Sequence, residues 1–576
     1  MLKRFTKVTS LLVVAASVMS TIPTMAVECQ KLETQEGTIY GASAKGNGKF
    51  IIDGEIDGQD SQVYYLDNGK YNKLENADSG DTIGDIKCGK YLDMNNAEYY
   101  VDLTTGETTD EDIEDNYEDD VATTLRKKLK KDNDGRLADS EFSSKTVSID
   151  KQMRQGNNFM MGIAGNWCQF EYKLKTSDID GWDYTSIITD ADGNYLDADY
   201  NLGSIKVVTT GGSFTLKNTK DTYELKEGNT TYEYKAQIKK YEPLLYSSGV
   251  YGAYAESWDS IYRQASLKIY KRQAGQSNPY VNVTNLMKFG NSNNAKSLQA
   301  NSDVWPDADT MMGDPSITVF QKMSKVQASD DVDGLKYPKK VETYFITDSD
   351  GKAQPLLGSW EPKNAGLDFS DVAGDDVSMI GGSLSGDLMS GYFDKSEQKV
   401  YAETLTFKSE NGFNYTDVSD AYDTDCEAWA LGNGEFYCFA KGYIRKWNYK
   451  DGYDKLYKVD GSMTNLSVSD PLNLICWDED NECYSIVSHD YTKDAAATPA
   501  TTTPATTTPA AATPLATAGW VQAAEGTWSY NKVDGTKATG WLLDGSTWYY
   551  LNASGEMLAN TTVDGYILGA NGAWIK

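Results

Sequence analysis

The sequence predicts a mainly β protein: a large β-rich domain, propeller-like or divided into two β-domains, followed by a C-terminal solenoid of β-hairpins. Three observations predict it. Short runs of Tyr, Val, Ile and Thr alternate with Asp-Gly and Asn-Gly turns through residues 27–493. Three consecutive strand-like runs close that region. The last 58 residues repeat an aromatic and glycine pattern with a 20-residue period.

Within the large region, Ser186-Ile187-Ile188-Thr189 leads into the turn Asp190-Ala191-Asp192-Gly193. Tyr344-Phe345-Ile346-Thr347 leads into Asp348-Ser349-Asp350-Gly351 in the same way. These are two copies of one strand-turn unit. Near the end, Leu466–Ser469, Leu474–Trp477 and Tyr484–Val487 read as an antiparallel meander, the form of a propeller blade. One helix is expected around 117–131, because Val121, Leu125 and Leu129 recur every fourth residue. Asp119 and Asp120 at its start and Lys127, Lys128, Lys130 and Lys131 at its end match the helix dipole.

The first 26 residues have the form of a secretory signal. Lys3, Arg4 and Lys7 precede an apolar core from Leu11 to Met19, and Thr24-Met25-Ala26 fits a cleavage site. The apolar run is too short to span a bilayer. Removing residues 1–26 takes away three basic residues and no acidic one, so the net charge deepens from −31 to −34. Such a surface repels nucleic-acid phosphates and anionic lipid, which excludes both as expected partners. Seven cysteines are too few for a disulfide scaffold. Cys426 with Cys438, and Cys476 with Cys483, each flank a turn, so either pair is a candidate bridge.

From 494 to 518 the composition collapses to Ala, Thr and Pro, with proline at 499, 504, 509 and 514. Such a stretch buries no core and favours extended backbone, giving a spacer on the order of 70 Å long. After it, Gly519-Trp520 is followed by Gly526-Thr527-Trp528-Ser529-Tyr530 and Gly535. Gly540-Trp541 is followed by Gly545-Ser546-Thr547-Trp548-Tyr549-Tyr550 and Gly555. A third, degenerate unit holds Gly565-Tyr566, Gly569, Gly572 and Trp574. Each unit reads as a hairpin with glycine in its turns and aromatic rings on one face. A hairpin this short cannot bury that face alone, and stacked units can. Rings meeting between neighbouring hairpins can box a quaternary ammonium by cation–π attraction.

The pattern Gly-Trp, Gly-x-x-Trp-Tyr-Tyr, Gly-x-Met resembles the choline-binding or cell-wall-binding repeats of Gram-positive surface proteins. The resemblance covers about a tenth of the chain. It implies a solenoid of choline-binding type, docking on teichoic-acid choline or on wall glycan, and a site built from two Trp of one repeat, an aromatic of the next and often a Met. Carried onto this sequence, one site would use Trp520 and Trp528 with Tyr550. A second would use Trp541, Trp548 and Met557 with Tyr566 or Trp574. Lys537 stands where Met557 stands one repeat later, and a cation there should weaken the first site. Residues 27–493 resemble uncharacterised β-rich segments of secreted wall-bound proteins, which implies an architecture and no chemistry.

An enzyme in the large region is disfavoured by residue content. The one histidine, His489, sits at the edge of the spacer. That argues against zinc hydrolases and against Ser-His-Asp or Cys-His catalysis. No Gly-x-Ser-x-Gly or phosphate-binding loop appears. A glycosidase needs only two carboxylates, and with 85 acidic residues the sequence points to no pair. Asp-rich turns raise calcium as a cofactor. Asp132, Asp134, Gly135 and Glu141, and likewise Asp190, Asp192, Gly193 and Asp199, match part of a calcium loop, but Lys130 and Ile188 occupy the first ligand positions. Polar hairpin turns explain them better. The expected protein is therefore a secreted, wall-anchored surface protein displaying a non-catalytic β-rich domain of unassigned partner. A wall-remodelling glycoside hydrolase on the same anchor is the alternative, and a spacer or layer component the third reading.

Overall fold

The computed structural model describes residues 29–142, 160–240, 254–298, 315–356, 377–489 and parts of 519–572, with short gaps inside these ranges. The signal segment 1–26 and the spacer 494–518 lie outside the described residues. What is described is mainly β, in separate sheets of two to thirteen strands.

The C-terminal meander forms as expected, as Asn465–Asp470, Asn473–Asp478 and Cys483–Val487. It is one part of a seven-stranded sheet whose remaining strands come from the opposite end of the chain. Gln35–Gly46 pairs antiparallel with Cys483–Val487, matching Gln35 to Tyr484 and Glu36 to Cys483. Lys49–Ile56, Gln62–Asp67 and Lys70–Lys73 continue the sheet. A second closure lies beside it. Gln30–Lys31 runs parallel to Tyr453–Lys458 and forms the edge of the five-stranded sheet that ends at Ala428–Gly432. A side-chain clasp reinforces both: the Ser485 hydroxyl donates to the Glu33 carbonyl at 2.9 Å, and the Tyr484 hydroxyl to Gln35 at 3.0 Å.

The centre of the chain forms a 13-stranded sheet around the long strand Ser260–Gln273, flanked by Thr230–Lys240 and Ile317–Ser324. The first eleven residues of that strand are buried on both faces, including the polar Arg263, Gln264, Ser266 and Lys268. A buried polar residue needs a partner. Arg263 has them: its Nη2 donates to Asp199 Oδ1 at 2.7 Å and to the Ala198 carbonyl at 2.8 Å, and its Nε to Gln321 at 2.9 Å. Asp199 in turn accepts the Ser186 amide at 2.7 Å. Two residues before Asp199, Asp197 accepts from Arg136 at 2.8 Å and from the Thr185 hydroxyl at 2.7 Å.

The helix runs Ile113–Asp132, four residues earlier than its periodicity suggests. Ile113 is buried and extends the apolar stripe by one turn. Val121, Leu125 and Leu129 pack against Phe170, Tyr172, Ile187 and Tyr195, so the stripe seats the helix on the sheet. The loop beneath it needs Gly334. At φ +92°, a Cβ there would come within 1.9 Å of the Asp132 carbonyl oxygen.

The two Asp-rich turns are alike. Asp190 accepts the Asn194 amide at 2.8 Å, and its carbonyl the Gly193 amide at 3.0 Å. Asp348 accepts the amides of Asp350 and Lys352 at 2.8 and 3.0 Å. These carboxylates close their own turns. Among the described residues no group of three metal-ligating side chains occurs. The two cysteine pairs differ. The thiol of Cys426 lies against that of Cys438, and this contact, with burial, holds it protonated. Cys476 stands opposite Ser485 and Cys483 opposite Asp478, so the second pair is offset along its ladder.

Arg263→Met leaves Asp199 buried without its cation. It should cost about 3–5 kcal/mol of stability. Denaturant unfolding should also show that the double variant R263M/D199L recovers part of that loss.

Candidate functional site

The repeat segment forms three hairpins. Gly519–Gln522 pairs with Trp528–Asn531, Gly540–Asp544 with Thr547–Leu551, and Thr561–Val563 with Tyr566–Leu568.

In the first hairpin Trp520 stands opposite Tyr530, and Gln522 opposite Trp528. Residues two apart on a strand share a face, so Trp520, Trp528 and Tyr530 line one side. Trp520 is the centre of the group. Its ring lies 6.4 Å from Trp528 at 83°, 5.4 Å from Tyr530 at 84°, and 4.8 Å from Tyr549 of the next hairpin at 69°. All three contacts are edge-to-face, which suits aromatic quadrupoles and leaves ring faces available to other partners. Trp528 keeps 38% of its surface exposed, so the group is open on that side.

The residue reaching Trp520 from the second hairpin is Tyr549, one position before the Tyr550 of the sequence-based assignment. Strand parity explains the choice. Tyr550 pairs with Trp541 on the ladder and, being next to Tyr549 in the strand, takes the other face. Tyr549 and the fully buried Leu551 point toward the first hairpin's side.

Met557 is also drawn to the first hairpin. The segment after the second hairpin folds back through a turn in which Asn552 Oδ1 accepts the Glu556 amide at 3.0 Å. The Met557 amide then donates to the Trp528 carbonyl at 2.7 Å, and the Leu558 amide to the Tyr550 carbonyl at 2.8 Å. Backbone geometry thus brings together Trp520, Trp528, Tyr549 and Met557. Lys537, at the equivalent place one repeat earlier, is exposed. Tyr566 begins the last strand, paired with Val563. Trp574 lies outside the described residues.

Gly572 supports Met557 from the third unit. At φ +77°, a Cβ on it would come within 2.4 Å of the Met557 thioether. Sequence reasoning grouped Trp520 and Trp528 with Tyr550, assigned Met557 to the other site, and named neither Tyr549 nor Tyr530. The signal for Tyr549 was parity within Trp548-Tyr549-Tyr550.

An aromatic cluster on stacked hairpins, open on one side, is a site for a soft organic cation. Residues 538–574 match the family model of the choline-binding repeat. Residues 538–574 therefore belong to the choline-binding repeat family. The choline binding domain of Spr1274 from Streptococcus pneumoniae is 38% identical, over 10% of this chain and 96% of that one, with a TM-score of 0.10. Choline binding protein F of the same organism is 16% identical, over 65% of this chain and 100% of that one, with a TM-score of 0.10. CbpJ from Streptococcus pneumoniae TIGR4 is 14% identical, over 65% and 100%, with a TM-score of 0.07. No curated protein matches the chain.

Gly572→Ala should strain the backbone by about 1 kcal/mol and displace Met557. Choline titration should show a several-fold loss of affinity with the stability of the large β region unchanged.

Proposed function

We propose that the chain is an exported surface protein that docks on wall choline through its repeats and displays a non-catalytic β-rich domain. The observation that carries the docking is the Trp520 cluster. Trp528 and Tyr549 stand almost perpendicular to Trp520, forming walls for a trimethylammonium group, with Met557 beside Trp528. Each ring contributes about 0.5–2 kcal/mol of cation–π attraction. Two or three rings amount to a weak, roughly millimolar site. Firm attachment then arises from multiplicity: several repeats meet a polymer carrying many choline groups. A second site, expected from the sequence around Trp541 and Trp548, would supply part of that multiplicity.

Export rests on the signal-like first 26 residues and on the ligand, which lies outside the cell. Among the described residues no helix is long and apolar enough to cross a membrane, so attachment through the repeats accounts for surface retention. The spacer 494–518 holds the domain away from the wall. The non-catalytic reading is supported by how the buried carboxylates are used. Asp53 accepts from Ser79 and the Gly80 amide, Asp470 from Asn473, and Asp478 from Asn481 and Thr464. Asp197 and Asp199 are held by arginines. Carboxylates so engaged serve the fold. Hydrolysis of wall glycan by the purified chain would instead favour the glycoside hydrolase.

Choline titration of the full chain tests the docking site. Trp528→Ala should lower affinity about tenfold or more, because the removed ring faces the cation directly. Tyr549→Ala should weaken binding comparably, and Tyr550→Ala less. Equal losses at both tyrosines would contradict the assignment of Tyr549.

A further inference from the structure

We propose that Cys426 and Cys438 of the exported chain join in a disulfide that staples the five-stranded sheet to the central sheet. The bond is independent of docking, and rests on the export reading only for the oxidising surroundings in which it persists.

The two thiols sit where the chain changes sheets. Tyr422–Asp425 pairs with Lys399–Glu410 in the central sheet, and Ala428–Gly432 pairs with Glu435–Ala440 in the five-stranded one. Cys426 lies between them. Its amide donates to the Gln398 carbonyl at 2.7 Å, on the central-sheet side. The next amide, of Glu427, donates to the Phe439 carbonyl at 2.8 Å, on the other side. The bend at Glu427 keeps Cys426 off the ladder, and its thiol lies against that of Cys438. The same thiol donates to the Ala428 carbonyl at 3.3 Å. Both cysteines are fully buried in one apolar cluster, among Met389, Phe393, Val400, Phe436 and Trp447, which draws on both sheets.

Reach separates this pair from the other. Bridged cysteines need Cα atoms about 4.4–6.8 Å apart. Cys476 and Cys483 are diagonal on a regular ladder, where Cys476 stands opposite Ser485. Diagonal partners lie about 7–8 Å apart, beyond that reach. Cys426 is outside any such ladder, and its thiol already touches its partner. The bond closes a ring of 13 residues, from 426 to 438, and restricts the unfolded chain accordingly.

A small disulfide such as oxidised glutathione is a sufficient oxidant. One cysteine thiolate attacks a glutathione sulfur, breaks its S–S bond and releases one glutathione thiolate. The second cysteine thiolate then attacks the protein sulfur of the mixed disulfide and releases the other. Two electrons pass from the protein sulfurs to glutathione, and the two released thiolates take up the two protons. Thiolate is the nucleophile, and contact with Cys438, with burial, holds the folded Cys426 thiol protonated. Exchange therefore proceeds while the five-stranded sheet is still open.

Refolding of the full chain with oxidised glutathione, then alkylation with N-ethylmaleimide in denaturant and peptide mapping by mass spectrometry, tests the bond. A linked pair of peptides holding Cys426 and Cys438 is expected, about 2 Da lighter than the two thiol peptides together. Thermal unfolding of the oxidised chain should lie several degrees above that of the chain refolded with a reductant. In the double variant C426A/C438A the two conditions should give the same midpoint. Choline plays no part in either readout, so this test and that of the docking site fail independently. Three results would overturn the proposal: both cysteines alkylated, either one joined to a different cysteine, or no shift in midpoint that depends on the pair.

Discussion

The large domain depends on one non-local constraint, the pairing of its first strands with its last. Gln35–Gly46 completes a sheet begun by Asn465–Val487, and Gln30–Lys31 edges the neighbouring sheet. Each ladder joins residues more than 400 positions apart, so the loop entropy lost in forming it is large. What repays it is the satisfaction of sheet edges and a continuous core in which Ile39, Phe50 and Tyr64 pack against Ile475, Trp477 and Tyr484. Closure also fixes the two ends of the domain side by side. Leu32 donates to the Lys458 carbonyl at 2.9 Å, and the His489 amide to Asn473 at 3.0 Å. The described part of the domain therefore begins and ends at the same pair of sheets.

The interior obeys a second rule, that buried charge must be matched. The long central strand carries Arg263 where an aliphatic residue would be cheaper. Its guanidinium ties Ala198 and Asp199 to Gln321, and so joins the small sheet under the helix to the central sheet. Asp199 of that ion pair also lines a polar cavity of about 180 Å³.

The repeats were legible because their chemistry is periodic. Tryptophans and glycines in register announced hairpins, and the hairpins formed with the expected strands. What the pattern did not give was the partition of rings between faces. Tyr549 and Tyr550 are adjacent in sequence, and only the ladder register decides which one turns toward Trp520. Met557 moved for a similar reason. Its backbone follows the turn at Asn552 back to Trp528, a connection between units that no single repeat encodes. In the large region, the meander, the helix stripe and the twin Asp turns were readable because each is local. The N-terminal strands that complete the C-terminal sheet were not, since nothing in Gln35–Gly46 names its distant partner. Arg263 was equally silent: one arginine in a strand reads as a surface residue until the strands on both sides of it are known.

The central claim is that choline enters the angle between Trp520, Trp528 and Tyr549. The most direct measurement is a crystal structure of the chain grown with choline. The account predicts trimethylammonium density in contact with those three rings, with Met557 alongside. Density confined to Tyr550, or repeats that crystallise with choline elsewhere and these rings empty, would contradict it.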